Sequence, residues 1–237
     1  MQGTQGNPLP KPIQIRYEDD CYIVFEKPAG LLVIPSPKRE NNTLLSLVNR
    51  QLARKETDWK LHPCHRLDQE TSGLILFAKG KKNQQLMMEE FKRQRVKKIY
   101  IAFIQGQLRK DFGEIRSFIK DFNQKRFNKK SAAKLGITRY TVLETKKGFS
   151  VLEVTPVTGR TNQIRIHFSE IGHPLLGERK YAFGKDYALK FRRTALHASS
   201  LKWIHPIDRR EVKVESILPE DMRQFLNKNK ILEEKND

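Results

Sequence analysis

The chain has 237 residues, 38% of them hydrophobic and 31% charged, which suits a soluble globular protein of one large domain or two joined lobes and excludes a disordered one. No apolar run approaches the roughly 20 residues that cross a bilayer, so no membrane partner is expected. Lys and Arg outnumber Asp and Glu by 46 to 27, a net charge of +19 that points to a polyanion, nucleic acid, as the partner.

Residues 1–12 are polar and rich in Pro and Gly, and read as a loose tail without a signal-peptide core. Residues 13–17 and 22–26 read as short strands around an Asp19-Asp20 turn. Lys27-Pro28-Ala29-Gly30 breaks the second strand, and residues 31–34 resume as extended chain. Apolar residues at 44, 47, 48 and 52 predict a helix over 43–54, capped by Asn42 or Thr43. The apolar run Leu74-Ile75-Leu76-Phe77-Ala78 predicts a buried strand. A second helix is expected over 81–95, with its Met residues filling core. Residues 97–105 alternate as a strand, with Ile99, Ile101 and Phe103 on one side and Tyr100 and Ala102 on the other.

The basic stretch 125–134 is either a solvated loop or one that contacts nucleic acid. Residues 139–145 and 149–155 form an expected hairpin across Lys146-Lys147-Gly148. Over 161–171 both periods are present, but Gly172 and Pro174 supply a helix stop, so a helix is expected. Strands over 196–204 and 211–215, then a helix over 219–229 opening on Pro, complete the chain. Strands outnumber helices without alternating with them, so the class is α+β with a largely antiparallel sheet. Two cysteines, Cys21 and Cys64, give no disulfide framework and fit a reducing compartment.

The densest cluster of reactive groups is His65-Arg66-Leu67-Asp68, followed by Gln69, Glu70 and Thr71-Ser72-Gly73. It sets a carboxylate beside a cation and a polar turn, on a loop feeding a rigid strand. Alone, Asp68 reads as a cap or a surface charge. Three further stretches accompany it: Tyr17-Glu18-Asp19-Asp20 with Lys27 to Val33, Lys98-Ile99-Tyr100-Ile101-Ala102 ending at Gly106, and Thr158-Gly159-Arg160-Thr161-Asn162-Gln163-Ile164-Arg165-Ile166-His167 with Gly172-His173-Pro174-Leu175-Leu176-Gly177 after it. In this order they resemble the RluA-type pseudouridine synthases, whose signature reads H-R-L-D-x-x-T-S-G, and Leu196-His197-Ala198 and His205-Pro206 echo the family's closing strand. The resemblance spans residues 13 to about 219. Asn162 stands where the family usually has His, and Glu178 where it usually has Asp, which leaves the local geometry open.

The resemblance implies a bent, mostly antiparallel mixed sheet flanked by helices, in one catalytic domain over 13–230 with a central cleft. It implies an enzyme that isomerises uridine to pseudouridine in structured RNA, rRNA or tRNA. Asp68 would be the nucleophile, Arg165 the cation that keeps it ionised, and Tyr100 the active-site tyrosine that stacks on the base or moves a proton. Expected substrate-binding residues are Arg66, His65, Thr71, Arg160 and Gln163, with Lys125, Arg126, Lys129 and Lys130 gripping RNA from the basic stretch. Arg66 either fills the space of the extruded base, holds its phosphate, or supports its own loop. The isomerisation needs no cofactor and no metal. A cytoplasmic monomer is expected, and with the first motif near residue 13 there is no room for the S4 domain many relatives carry.

Three other readings stand beside this one. His62, Cys64, His65 and Asp68 have zinc-ligand types but crowd one short loop. Cys64 with His197 lacks the third member of a triad. A non-catalytic RNA-binding or ribosome-assembly protein of the same fold needs no Asp68, Tyr100 and Arg165 set.

Overall fold

The computed structural model describes residues 12–35, 42–53, 59–120, 132–182 and 189–234, with side chains through 229. The strands are β1 (Ile15–Glu18), β2 (Tyr22–Lys27), β3 (Leu61–Pro63), β4 (Ser72–Lys79), β5 (Lys97–Gln105), β6 (Phe112–Ile119), β7 (Lys134–Lys146), β8 (Phe149–Pro156), β9 (Leu196–Ile204) and β10 (Glu211–Glu215). The helices are α1 (Leu44–Leu52), α2 (Lys81–Lys92), α3 (Gln163–Glu170) and α4 (Glu220–Glu234). No described helix is long and apolar enough to cross a membrane.

All described strands join one mixed sheet in the order β1-β2-β4-β9-β5-β8-β7-β6, with β3 on β4 and β10 on β9. Every pairing is antiparallel except that of β4 with β9, which is parallel through only Ser72↔His197 and Gly73↔Ala198. That short junction joins two antiparallel halves and lies immediately after the Asp68 segment. Gly73 explains why a glycine ends the Thr71-Ser72-Gly73 turn. Its φ is +108°, and a Cβ there would lie 2.3 Å from the Ala198 carbonyl oxygen. At its far end β4 pairs with β3 instead, from Leu61↔Lys79 to Pro63↔Phe77.

The core follows from apolar runs. All of Leu74 to Ala78 is fully buried, because β4 carries apolar side chains on both faces. One face packs Phe25 edge-on against Phe77 with Ile23, Ile75 and helix α1, and the other packs Leu74, Leu76 and Trp203 with Met87 of α2. Helix α4 closes a third cluster, setting Met222 and Phe225 against Phe103 and Phe149.

Thr43 caps α1 as expected: its Oγ1 accepts from the Ser46 amide at 3.3 Å, and Ser46 Oγ accepts from the Thr43 amide at 3.0 Å. Residues 31–34 form no strand. Their carbonyls serve α1 instead, Leu32 and Val33 accepting from the Leu44 and Leu45 amides. β3 and β6 were not expected from sequence. β7 begins at Lys134, inside the basic stretch, and α4 runs on to Glu234.

Candidate active site

Asp68 sits between β3 and β4, on the loop that reaches the parallel junction. Two buried cations fix that loop from opposite sides. Lys27, fully buried at the end of β2, donates to the carbonyls of Pro28 (3.0 Å), Leu31 (2.8 Å) and Gln69 (3.0 Å). Burial pulls the Lys27 ammonium down to about 7, against the charge of Asp68, which favours its charged form. On the other side Arg193 donates to the Glu70 carbonyl (3.2 Å) and Ser72 Oγ (3.3 Å) while pairing with Asp221 of α4 at 2.7 Å. Glu70 in turn accepts from the amide and hydroxyl of Thr194 at 2.9 and 3.0 Å. Sequence patterns do not single out Lys27 or Arg193. Lys27 stands in a motif that reads as scaffold, and Arg193 has no local pattern at all.

Asp68 faces Arg165 from helix α3, Nη1 to Oδ2 at 3.6 Å, with side chains 22% and 14% exposed. Burial pushes the Asp68 carboxyl above its usual value; Arg165, Arg66 and Lys27 pull it back without cancelling that push. The cation therefore moderates a desolvated carboxyl rather than holding it below the ordinary range. Arg165 is itself gripped by Glu178, Nε to Oε2 at 2.6 Å and Nη2 to Oε1 at 2.8 Å. Burial opposes its charge, but the Glu178 bonds outweigh that and hold it above the ordinary arginine value. Asn162 Oδ1 accepts from Arg165 Nη1 at 3.2 Å, and the Tyr181 ring lies 5.3 Å from the guanidinium carbon. The two positions that depart from the family pattern thus both touch the same arginine.

Tyr100 of β5 is 8% exposed, and burial and the Asp68 charge raise its hydroxyl pKa. Asp68, Tyr100 and Arg165 line one cavity of about 500 Å³ with Arg66, Thr71, His65, Arg160 and Gln163. That volume is in the usual range for a small-ligand site. These side chains are not equally free. Thr71 Oγ1 is buried without a hydrogen-bond partner, whereas Arg66 is exposed at the rim. His65 Nε2 accepts from the Leu76 amide at 3.0 Å, and burial with the nearby Lys98 charge drives its ring down to about 3. His65 is therefore a neutral wall. Gln163 accepts from Thr158 Oγ1 (2.6 Å) and the Arg160 amide (3.0 Å) and donates to Ile137 O and Thr138 Oγ1, which shapes the turn before α3. Arg160 Nε donates to the Leu135 carbonyl at 3.1 Å. Lys125, Arg126, Lys129 and Lys130 lie outside the described residues.

The Cys64 and His197 pairing has no geometric support. Burial raises the Cys64 thiol, and His197 bonds Ser72 through Nδ1 and Ser216 through Nε2. The cavity brings together a carboxylate, an ion-paired arginine and a buried phenol from three separate elements.

The family described as RNA pseudouridylate synthase matches residues 21–170. The dual-specificity RNA pseudouridine synthase RluA of Vibrio cholerae is 35% identical over 87% of this chain and 83% of its own length. The ribosomal large subunit pseudouridine synthase D of Nitrosomonas europaea is 34% identical over 91% of this chain, which spans 64% of that protein. Human RNA pseudouridylate synthase domain containing 4 shares the fold, with a TM-score of 0.74 at 23% identity over 91% of this chain and 92% of its own. With a family match across the loop, strand and helix that carry Asp68, Tyr100 and Arg165, the chain belongs to the RNA pseudouridylate synthases.

Proposed function

We propose that this chain converts uridine to pseudouridine in structured RNA, with Asp68 as the nucleophile. The reaction breaks the bond from N1 of the base to C1′ of ribose, rotates the base and forms the bond from C5 to C1′. The hydrogen on C5 leaves as a proton and N1 gains one, so atoms and electrons balance without a redox partner. Asp68 forms a covalent bond to the substrate that splits this change into easier steps. Arg165 keeps part of the Asp68 population ionised in a site that shields it from water. Tyr100 packs its ring on the base and places its hydroxyl for proton transfer at C5.

The observation that carries this reading is the convergence of Asp68, Tyr100 and Arg165 on one cavity from three separate elements. The named relatives act on ribosomal large-subunit RNA, or carry dual specificity, and rRNA or tRNA is the substrate we assign here. Residues 13–230 serve as one catalytic domain of a cytoplasmic monomer that needs no cofactor. The test is to incubate purified protein with unmodified rRNA and tRNA transcripts and map pseudouridine by carbodiimide adduct stops. New sites are expected; none in any transcript contradicts the reading.

A further inference from the structure

Lys98 stands on β5 two residues before Tyr100, on the same side of the strand, and both line the cavity. Its Nζ lies 3.5 Å from where a side-chain carbon would begin at Gly159, so it points at the Thr158-Gly159-Arg160 turn, which has no side chain there to cover it. Lys98 is half-buried, and the other cations around the site are held by acceptors: Lys27 by three carbonyls, Arg165 by Glu178, Arg193 by Asp221. Among the described residues Lys98 has no hydrogen-bond acceptor and no carboxylate partner. Burial is the cause that lowers its pKa, with no opposing charge. An ammonium partly withdrawn from water and left without an acceptor costs stability, so its partner is expected to come with the ligand.

Resting on the reading that uridine in RNA enters this cavity, we propose that Lys98 binds the RNA phosphate adjoining that uridine. Phosphate is the anion every uridine in RNA carries on its ribose, and ammonium groups are established point-charge partners for it. A phosphate held beside the Thr158–Arg160 turn fixes the ribose while the base turns over Asp68. Lys98 is thus a substrate-positioning group distinct from the Asp68–Arg165 pair.

The test compares wild type, Lys98→Met and Lys98→Arg by calorimetry with three probes: uridine, uridine 5′-monophosphate and uridine 3′-monophosphate. One monophosphate is expected to bind wild type about tenfold more tightly than uridine, as for a charge-assisted hydrogen bond, and which one identifies the phosphate. Lys98→Met should erase that preference and Lys98→Arg should retain it. Lys98→Met should melt at or above the wild-type temperature, because it removes a half-buried charge and breaks no hydrogen bond. A preference that survives in Lys98→Met, or is absent from wild type, overturns the proposal, as does a large fall in melting temperature, which would make Lys98 part of the scaffold. If wild type makes no pseudouridine in RNA yet Lys98→Met loses the preference, the phosphate site stands and the catalytic reading fails.

Discussion

Arg165 meets Asp68 with one guanidinium nitrogen, Nη1 to Oδ2 at 3.6 Å, while its other two nitrogens are committed to Glu178 at 2.6 and 2.8 Å. Glu178 therefore competes with Asp68 for the same cation. It also accepts from the Lys180 and Tyr181 amides, at 2.8 and 3.1 Å, which fixes the arginine from behind. Gly177, with φ +75°, lets the chain turn here, where a Cβ would lie 1.9 Å from the Arg193 carbonyl oxygen.

Glu178→Gln tests that competition. With the neutral amide, Asp68 becomes the sole ionised partner of Arg165, so its pKa falls and the acid limb of the pH–rate profile moves to lower pH. Burial raises the Glu178 pKa, but the Arg165 bonds and backbone amides pull it below its ordinary value. Its stabilisation is thus complete above about 4.3, the unfolded glutamate value, and is lost as pH falls through the folded one. Removing one partner of a buried pair costs on the order of 3 kcal/mol. Denaturant melts at pH 7 should show such a loss for Glu178→Ala and a smaller one for Glu178→Gln. Single-turnover rates against pH check the shift.

Arg165→Ala should act in the opposite sense. Burial already lifts Asp68, and loss of a close cation raises a carboxylate by roughly one to three further pH units. The acid limb of the rate profile moves to higher pH, and the rate at neutral pH falls more than RNA affinity does. An unchanged rate with weakened binding would make Arg165 a phosphate contact instead.

Lys27→Met should loosen the Asp68 loop. It strips the donor from the Pro28, Leu31 and Gln69 carbonyls, and buried unsatisfied acceptors cost about 1–3 kcal/mol each. The wild-type ammonium titrates at about 7 in the fold, against about 10.4 when unfolded. Between these values the unfolded chain holds more protons, so wild-type stability rises with pH. Urea titrations from pH 7 to 10 should show a shallower rise for Lys27→Met.

Replacing Lys125, Arg126, Lys129 and Lys130 with Ala should flatten the salt dependence of RNA binding. Phosphate contacts give log–log slopes near −0.9 per phosphate on duplex DNA and about −0.7 on single strands. The single-turnover rate at saturating RNA should stay near wild type, because such contacts hold substrate equally before and during reaction. Filter binding at four salt concentrations reads the slope; an unchanged slope and affinity would mark the stretch as solvated surface.

Local signals predict local structure well here. The Thr43 cap, the β4 apolar run, the β5 alternation and the Gly172-Pro174 stop each correspond to an element found. β3 is invisible because three residues, Leu61 to Pro63, hold no period. β6 is obscured because its exposed face carries Phe112 and Phe118, 75% and 71% exposed, so the expected alternation of apolar and polar residues is lost. In the site, motif residues separated by about 100 positions meet as the resemblance implies. The supports of Asp68 were not legible, since Lys27 and Arg193 act through backbone carbonyls, which have no side-chain signature.

The most direct test of Asp68 as nucleophile is Asp68→Asn. The substitution is nearly isosteric, so purified variant should melt within a few degrees of wild type and bind RNA with similar affinity. Single-turnover pseudouridine formation, measured on a transcript that wild type modifies, should be undetectable for the variant across the pH range. Wild-type turnover by Asp68→Asn would contradict the account.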